Sequence, residues 1–365
     1  MERIPFDESE MTPIEVIKGR TMDRTLWSPP ITHRENVLMA FHHQDPFFLS
    51  HMGDIFEVDT RANPEMVAGH TVRDGQEPYE YDFETGEFDA FGVRWVMDKN
   101  NVGPIEALDE FLLEDMTELD EKIVWPNPEE WPWAENAERD QEWLAANRAL
   151  GKALRVSIFS GLFERLISWL GFENAAIALI DPEQEPYIHK AFSKLCDFYE
   201  KIFYLNKKYY DVDIIKFHDD WGSQNAPFFS PEVHKRFFVP YVKRLVDYTH
   251  SLGMMFEIHS CGKIESLLPN IVETGADSWQ GQEINDKLAA LKKYGDKILI
   301  EVEVPEVGRD ATDEEIWAAA EKFCDEYIIP GHATALSTYA NFPKNRGEFF
   351  DAIYVCSRKK LCPEE

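Results

Sequence analysis

Hydrophobic and polar positions follow two alternating periods along the chain after residue 150. Short apolar runs predict buried strands, and longer stretches with an apolar residue every three or four positions predict helices. The predicted strands cover 154–159, 213–218, 254–258, 276–279, 297–302 and 327–330. The predicted helices between them cover 163–170, 184–209, 230–251, 264–274, 285–293 and 312–325. This alternation is typical of a parallel sheet whose strands are joined by crossover helices.

The chain before residue 151 is patterned less regularly. Residues 1–30 are predicted to be an N-terminal arm that ends in a Ser-Pro-Pro tripeptide. Thr32 and Glu35 have the spacing of a capping box, which predicts the start of a helix, and residues 47–52 are predicted as a strand. Residues 55–150 are rich in Glu, Asp, Trp and Pro, which predicts an irregular elaboration. Helices within it are predicted near 106–115 and 137–150.

The number of strand–helix units decides between two parallel α/β architectures. Seven or eight such units without a Gly-rich dinucleotide motif favour a closed (β/α)₈ TIM barrel over a doubly wound sheet. We therefore predict an α/β fold in which a single barrel domain covers 31–365 and follows the arm at 1–30.

Composition and charge narrow the classes of function. Of the 365 residues, 44% are hydrophobic, which indicates a globular protein. The net charge of −31 predicts that the protein repels nucleic acid and anionic membranes. The chain has no apolar stretch near 18 residues, and its acidic N-terminus lacks the apolar core of a signal peptide. Five irregularly spaced cysteines indicate a reducing compartment, so we predict a cytoplasmic protein.

A His-x-Cys pair follows one of the predicted strands. In a barrel, the carboxyl ends of the strands share one mouth, and the active site lies there. His259 and Cys261 follow strand 254–258, and the period of two places their side chains on the same side of the backbone. An imidazole and a thiolate placed in this way can bind one zinc ion. The pattern therefore predicts part of a zinc site.

The third zinc ligand is predicted to be His332. This residue follows the predicted strand 327–330 and should lie at the mouth. Cys324 precedes that strand and should lie at its opposite end, more than ~13 Å away at ~3.3 Å per residue. Glu301 and Glu303 are reserve ligands.

Further polar side chains follow the other predicted strands. Asp219 and Asp220 form a carboxylate pair, of which one is expected to be functional and the other to accept backbone N–H bonds. Asp54 allows the same two roles. The predicted catalytic residues are Asp219, Asp220, Glu301 and Asp54. The predicted substrate-binding residues are His218, Trp221 and Gln282.

Several short motifs together resemble the uroporphyrinogen decarboxylase-like (URO-D) superfamily. The resemblance extends from about residue 31 to 340 and implies a (β/α)₈ barrel with its site at the carboxyl-terminal mouth. The motifs are Arg34–Phe41 with Asp45-Pro46, Asp89–Trp95, Gly161–Glu164, Asp219–Gly222, Ser230–Glu232 and His259–Gly262.

The resemblance implies two alternative chemistries. The decarboxylases of the superfamily bind a substrate with eight carboxylates through an Arg-rich N-terminal motif. The corresponding stretch here, Phe47–Asp54, contains no arginine, and the whole protein is acidic, so this substrate fits poorly. The other branch resembles methyltransferases in which zinc, held by His-x-Cys and a later Cys, lowers the pKa of an acceptor thiol. His332 stands where that later Cys is expected, so the choice of acceptor stays open.

The resemblance, together with the His-x-Cys pair, therefore implies a zinc-dependent methyltransferase that moves a methyl group between a corrinoid (cobalamin) and a small acceptor. The corrinoid is expected on a partner protein, because the chain lacks the Asp-x-His-x-x-Gly pattern of corrinoid-binding domains. One alternative is a decarboxylase of a smaller carboxylated substrate, with Asp54 or Asp219 as its acid. Another is a non-catalytic corrinoid- or tetrapyrrole-binding protein. A homodimer is compatible with either activity.

Overall fold

The computed structural model describes residues 2–17, 24–58, 87–96, 105–108, 110–337 and 345–364. The strands in these residues are β1 (Glu15–Ile17), β2 (Arg24–Leu26), β3 (Ile55–Glu57), β4 (Glu87–Phe88), β5 (Arg94–Val96), β6 (Ile105–Glu106), β7 (Ala153–Ile158), β8 (Ile214–His218), β9 (Met255–Ser260), β10 (Ser278–Gly281), β11 (Leu299–Val302) and β12 (Thr334–Leu336).

The helices of the described residues follow the same chain order. They are α1 (His33–Phe41), α2 (Leu119–Lys122), α3 (Trp133–Ala149), α4 (Leu162–Leu170), α5 (Phe172–Ala178), α6 (Glu185–Tyr210), α7 (Pro231–Phe237), α8 (Val239–Ser251), α9 (Leu268–Thr274), α10 (Lys287–Tyr294), α11 (Asp313–Tyr327) and α12 (Glu348–Leu361). None of them combines the length and the hydropathy that a membrane span requires.

Seven of these strands belong to one sheet, in the order β12-β11-β10-β9-β8-β7-β3. The pairs β3–β7, β8–β9, β10–β11 and β11–β12 are parallel. Leu336 of β12 donates its backbone N–H to the carbonyl oxygen of Ser50, which precedes β3, at 2.8 Å. This bond links the segment before β3 to β12, the two ends of the sheet order. The predicted α/β class with a barrel-type parallel sheet is confirmed.

Two predicted strands and one predicted helix lie elsewhere than expected. The first strand of the sheet is Ile55–Glu57 rather than 47–52, because Phe47 and Phe48 instead pack into an apolar cluster with α12. The last strand is Thr334–Leu336 rather than 327–330, because Tyr327 completes α11. The helix predicted near 106–115 is absent from the described residues of that range, which begin with β6. The parts of the elaboration at 59–86, 97–104 and 109 lie outside the described residues.

The chain divides into two compact units. The first comprises Met1–Glu57, Glu142–Arg155 and Asp277–Glu365, and the second comprises Val58–Gln141 and Val156–Ala276. The boundary predicted between an arm at 1–30 and a barrel domain at 31–365 stays a prediction.

A buried ion pair joins the N-terminal arm to α12 within the first unit. Arg358, whose side chain is fully buried, donates to both carboxylate oxygens of Glu10 at 2.7 Å. Tyr354 donates a further hydrogen bond to Glu10 at 2.8 Å. A buried carboxylate and guanidinium are tolerated only when paired and hydrogen-bonded in this way, so the arm is an integral part of this unit.

A second buried ion pair organises the elaboration within the second unit. Asp89 accepts hydrogen bonds from the backbone N–H groups of Phe91 and Val93 and from the indole of Trp95. Its carboxylate also pairs with Arg165 of α4 at 2.6 Å, and both side chains are fully buried. The Asp89–Trp95 motif therefore has a structural role: it anchors the small sheet β4-β5-β6 to α4.

Candidate metal centre

Four side chains of the types that can bind a metal come together where β8 and β9 end, within the second unit. The two strands are parallel and in register, with His218 of β8 opposite His259 of β9. Their imidazole rings stack with centroids 4.5 Å apart. Asp220 lies two residues after His218, and Cys261 lies two residues after His259. Each therefore points to the same side of its strand as the histidine before it. A His-x-Asp and a His-x-Cys segment thus meet side by side.

The donor atoms of these four residues all lie within 4.8 Å of one another. The Cys261 Sγ atom is 3.5 Å from His259 Nε2, and His218 Nε2 is 3.6 Å from Asp220 Oδ1. The backbone N–H of Cys261 also donates to Asp220 Oδ1 at 2.7 Å, which fixes the turn after β9 relative to the turn after β8.

The donor set fits a tetrahedral zinc ion. Zinc bonds of about 2.0 Å to nitrogen or oxygen and about 2.3 Å to sulfur place neighbouring ligand atoms roughly 3.3–3.6 Å apart. The Cys261 Sγ–His259 Nε2 and His218 Nε2–Asp220 Oδ1 distances, 3.5 and 3.6 Å, are close to these values. Two imidazoles, one thiolate and one carboxylate are also the ligand types that zinc prefers.

A half-buried carboxylate contacts His218 at Nδ1, the ring nitrogen that does not face Asp220. Glu164 Oε2 lies 3.0 Å from His218 Nδ1, so a proton on Nδ1 donates to Glu164 and leaves Nε2 for the metal. Burial raises the pKa of Glu164 and of the Cys261 thiol. Burial opposes protonation of His218, yet the Glu164 carboxylate and the bond with Cys261 hold the pKa of His218 well above its ordinary value.

Asp219 has a structural position, which distinguishes it from Asp220. Its carboxylate accepts hydrogen bonds from the backbone N–H groups of Leu162, Phe163 and Glu164, the first residues of α4. The residue before α4 is Gly161, which offers no capping side chain, and Asp219 supplies the cap across space. A Cβ atom on Gly161 would lie 2.5 Å from Asp219 Cβ, so glycine is required there.

Trp221 supports this cap. Its indole Nε1 donates to Asp219 Oδ2 at 2.8 Å, and the side chain is fully buried between aromatic neighbours. Burial and then the Glu164 carboxylate raise the pKa of Asp219 to about 7, against the lowering effect of the N–H donors. The predicted substrate contact by Trp221 stays a prediction, and the observed contacts give the residue a structural role.

Asp54 lies fully buried in the first unit. Its Oδ1 atom is 2.6 Å from His33 Nδ1, and its Oδ2 atom accepts the backbone N–H of His51 at 2.6 Å. His33 Nε2 in turn lies 3.0 Å from the carbonyl oxygen of Trp27. Burial favours neutral forms, but the positive charges and donors of His51 and His33 lower the pKa of Asp54. Despite burial, the bond to Asp54 and its charge raise the pKa of His33.

The paired pKa shifts predict a pH-dependent stability. A lowered Asp54 pKa contributes stability above about pH 3.8 that is lost as the pH falls through its folded-state pKa. A raised His33 pKa contributes stability below about pH 6.5 that is lost as the pH rises through its folded-state pKa. We expect His33→Gln to destabilise the protein by roughly 2 kcal/mol near pH 5–6 and by less above pH 8.

Urea unfolding of the wild type and His33→Gln between pH 5 and 9 measures this difference. His42→Gln is the matched control, because His42 is exposed at the end of the same helix. A destabilisation that is independent of pH would show that His33 is buried in its neutral form.

The remaining predicted site residues lie in the first unit. Glu301 of β11 is buried, and its Oε2 atom accepts the amide N–H of Gln280 at 2.6 Å. Gln282 follows β10, and its carbonyl oxygen accepts the side-chain amide of Asn285 at 2.9 Å. The catalytic and substrate-binding roles predicted for these two residues stay predictions.

His332 lies at the opposite end of its strand from the one expected. Because the strand is Thr334–Leu336, His332 precedes it, and the next residue, Ala333, donates its N–H to the carbonyl oxygen of Gly295, before β11. The His332 Cβ atom also lies beside Gly295. This position removes the argument that made His332 the third ligand. Cys324 is buried in α11, as expected of a residue away from the metal site.

Two members of the donor cluster, and the residue that supports one of them, are not predicted as metal ligands from the sequence. The predicted roles of His218 in substrate binding and of Asp220 in catalysis stay predictions, and the structure brings both residues together with His259 and Cys261. Glu164 is not among the predicted site residues. The parallel pairing of His218 with His259 is the signal that would have identified the cluster, since it aligns His-x-Asp with His-x-Cys.

The protein thus has a parallel, barrel-type α/β sheet, and at the ends of two of its strands lies a cluster of side chains that could hold a zinc ion. The family model described as Uroporphyrinogen decarboxylase (URO-D) matches residues 183–337, which contain all four donors. The resemblance to the URO-D superfamily is therefore confirmed for these residues. No curated protein matches the chain.

Solved structures give a further comparison of the fold. A methyltransferase from Methanosarcina mazei is 14% identical, with a TM-score of 0.57, over 91% of this chain and 99% of that chain. A sugar phosphate isomerase/epimerase from Parabacteroides distasonis is 9% identical, with a TM-score of 0.32, over 60% and 79%. A D-psicose 3-epimerase from Clostridium cellulolyticum is 10% identical, with a TM-score of 0.31, over 62% and 79%. At this identity, the first similarity shows a shared fold.

Proposed function

We propose that this protein is a zinc-dependent methyltransferase that moves a methyl group between a corrinoid, carried by a partner protein, and a small acceptor. The observation that carries the proposal is the donor cluster His218, Asp220, His259 and Cys261 at the ends of two neighbouring parallel strands. The match of residues 183–337 to the URO-D family and the fold shared with a methyltransferase support it.

The four donor residues differ in how far they are exposed to solvent. His259 is almost completely buried, whereas the side chains of His218 and Asp220 are 14% and 29% exposed, so an acceptor reaches the centre from the Asp220 side. Zinc bound here would lower the pKa of an acceptor thiol. Glu164 holds the Nδ1 proton of His218 and keeps its ring in place.

If zinc were bound, Asp220 would be the donor that an acceptor could replace. Its carboxylate accepts the backbone N–H of Cys261, which would hold it in position when it is not a ligand. A thiolate carries the same charge as this carboxylate, so the charge of the donor set would be the same with either group. Asp220 is also placed to take the proton that the acceptor thiol loses. These features favour a thiol as the methyl acceptor.

The remaining parts of the proposal concern partner and location. The corrinoid is expected to arrive on a separate protein, as the sequence predicts. All five cysteines are free thiols, which agrees with the predicted reducing, cytoplasmic location. The decarboxylase alternative is less well supported, because Asp54 is tied to His33 and Asp219 caps α4.

An assay with free methylcobalamin tests the proposal. Zinc-loaded protein is incubated with methylcobalamin and a panel of thiols, phenols and amines, and the methylated acceptor is quantified by mass spectrometry. We expect product with at least one thiol, loss of activity on chelation and recovery on adding zinc. Activity that is unaffected by chelation would refute the proposal. Release of carbon dioxide without a corrinoid would support the decarboxylase, and tight cobalamin binding without turnover would support a binding protein.

A further inference from the structure

A buried lysine lies beside β10 and β11 in the first unit, and the proposed chemistry does not use it. The side chain of Lys287, at the start of α10, is only 5% exposed. Its Nζ atom donates to the carbonyl oxygen of Glu301 at 2.7 Å and lies 4.7 Å above the ring of Trp279. A buried ammonium needs a compensating charge, because desolvation strongly disfavours an isolated ion.

The compensating charge is Glu303, but the pair is incompletely made. Glu303 Oε1 lies 3.7 Å from Lys287 Nζ, close enough for ionic attraction and too far for a hydrogen bond. That oxygen is buried and has no hydrogen-bond partner among the described residues, and the Glu303 side chain is only 8% exposed. Lys287 likewise has ammonium hydrogens left over after its single hydrogen bond to Glu301 in the described structure.

These unmet groups point to a ligand of a particular kind. At 3.7 Å the two groups attract each other as an ion pair, but Glu303 Oε1 has no hydrogen bond among the described residues, and a buried carboxylate oxygen in that state is costly unless a donor is supplied. A molecule that satisfied both groups would supply an acceptor to Lys287 and a donor to Glu303. Two opposite charges 3.7 Å apart call for opposite charges at a similar separation, as in an amino acid.

We propose that Lys287 and Glu303 bind a small zwitterion, whose carboxylate accepts from Lys287 Nζ and whose ammonium donates to Glu303 Oε1. An amino acid is neutral overall, so its binding would add no net charge to the cluster. A simple carboxylate would leave Glu303 Oε1 unpartnered, and a simple amine would leave Lys287 unmatched. The indole Nε1 of Trp279, which is also buried and has no hydrogen-bond partner within the part of the chain that the structure describes, is a further donor near Lys287.

Hydrogen bonds hold the residues around the Lys287–Glu303 pair in place, which favours a binding site that is formed before the ligand arrives. The side chains of Gln280 and Glu301 form a hydrogen bond between neighbouring strands. Lys287 donates a hydrogen bond to the backbone carbonyl oxygen of Glu301. Burial lowers the pKa of Lys287 and raises that of Glu303, so both charged forms gain from a bound partner of opposite charge.

Calorimetric titration of the purified full chain with the twenty common amino acids tests the inference. Acetate, methylammonium and glycine betaine serve as analogues that lack one of the two groups or the N–H donors. We expect at least one amino acid to bind, the analogues to bind roughly tenfold or more weakly, and both Lys287→Met and Glu303→Gln to reduce affinity by a similar factor. Lys292→Met, an exposed lysine of the same helix, should leave affinity unchanged.

The experiment also separates this inference from the proposed metal centre. The Lys287 and Glu303 variants are expected to retain wild-type zinc content, because the donors belong to the second unit and these residues to the first. Should Lys287→Met fail to fold, Glu303→Gln, which keeps the side-chain shape, decides the outcome. If no amino acid binds the wild type, or if both variants keep full affinity, the pair is a structural contact and the inference is wrong.

Discussion

Replacement of His259 with alanine should reduce bound zinc from about one ion per chain to less than roughly a tenth of an ion. His259 is the most buried of the four donors, and its Nε2 atom lies 3.5 Å from Cys261 Sγ. Its loss leaves three donors, of which Asp220 and His218 are partly exposed to water. Zinc measured by mass spectrometry after dialysis against a weak chelator gives the result.

His332→Ala is the matched control for this experiment. His332 was the predicted third ligand, but it precedes β12 and lies beside Gly295, so its removal should leave zinc content at the wild-type level. Circular dichroism of both variants confirms that they fold. Equal loss of zinc in His332→Ala would restore the ligand set predicted from sequence, and full zinc content in His259→Ala would remove the metal centre altogether.

The parts of this site that sequence could predict are those fixed by local pattern. The apolar run before His259 marks a strand, and the period of two places Cys261 on the same side, so half of the donor set follows from one short segment. The capping box at Thr32 and Glu35 is likewise a local signal, and the structure confirms it. Local pattern therefore predicted these two segments, in which the apolar run coincides with the element or the cap lies within four residues.

The remaining parts depend on contacts between distant segments. Strand β12 consists of Thr, Ala and Leu, which give a weak apolar signal, whereas Ile328 and Ile329 before it give a strong one. The strand was therefore predicted too early in the chain, and His332 was placed after it instead of before it. The role of Asp220 depends on the register that sets β8 against β9. The role of Asp219 depends on its contact with α4, more than fifty residues earlier in the chain. Neither relation is visible in the spacing of residues.

The adjacent residues Asp219 and Asp220 are expected to fail in different ways when each is replaced. Asp219→Ala removes the acceptor of three backbone N–H groups and of the Trp221 indole in a fully buried place. We expect a loss of about 3–5 kcal/mol in the free energy of unfolding, because several donors are left unsatisfied at once. Asp219→Asn keeps the shape and one acceptor oxygen, so it should destabilise less and still fold. Urea unfolding measures both variants.

Asp220→Ala should change stability little and metal affinity strongly. Its side chain is 29% exposed and accepts one backbone hydrogen bond, so we expect a loss of about 1 kcal/mol and roughly ten- to hundredfold weaker zinc binding. Gly161→Ala gives a second check on Asp219, because the added methyl group meets Asp219 Cβ at 2.5 Å and should disturb the cap; it also meets the backbone oxygen of His218 at 2.8 Å, so zinc content is measured alongside stability. If Gly161→Ala and Asp219→Asn destabilise the chain while Asp220→Ala mainly weakens zinc binding, the two carboxylates have the separate roles that their contacts indicate. Zinc loss in Asp219→Asn with unchanged stability would reverse that assignment.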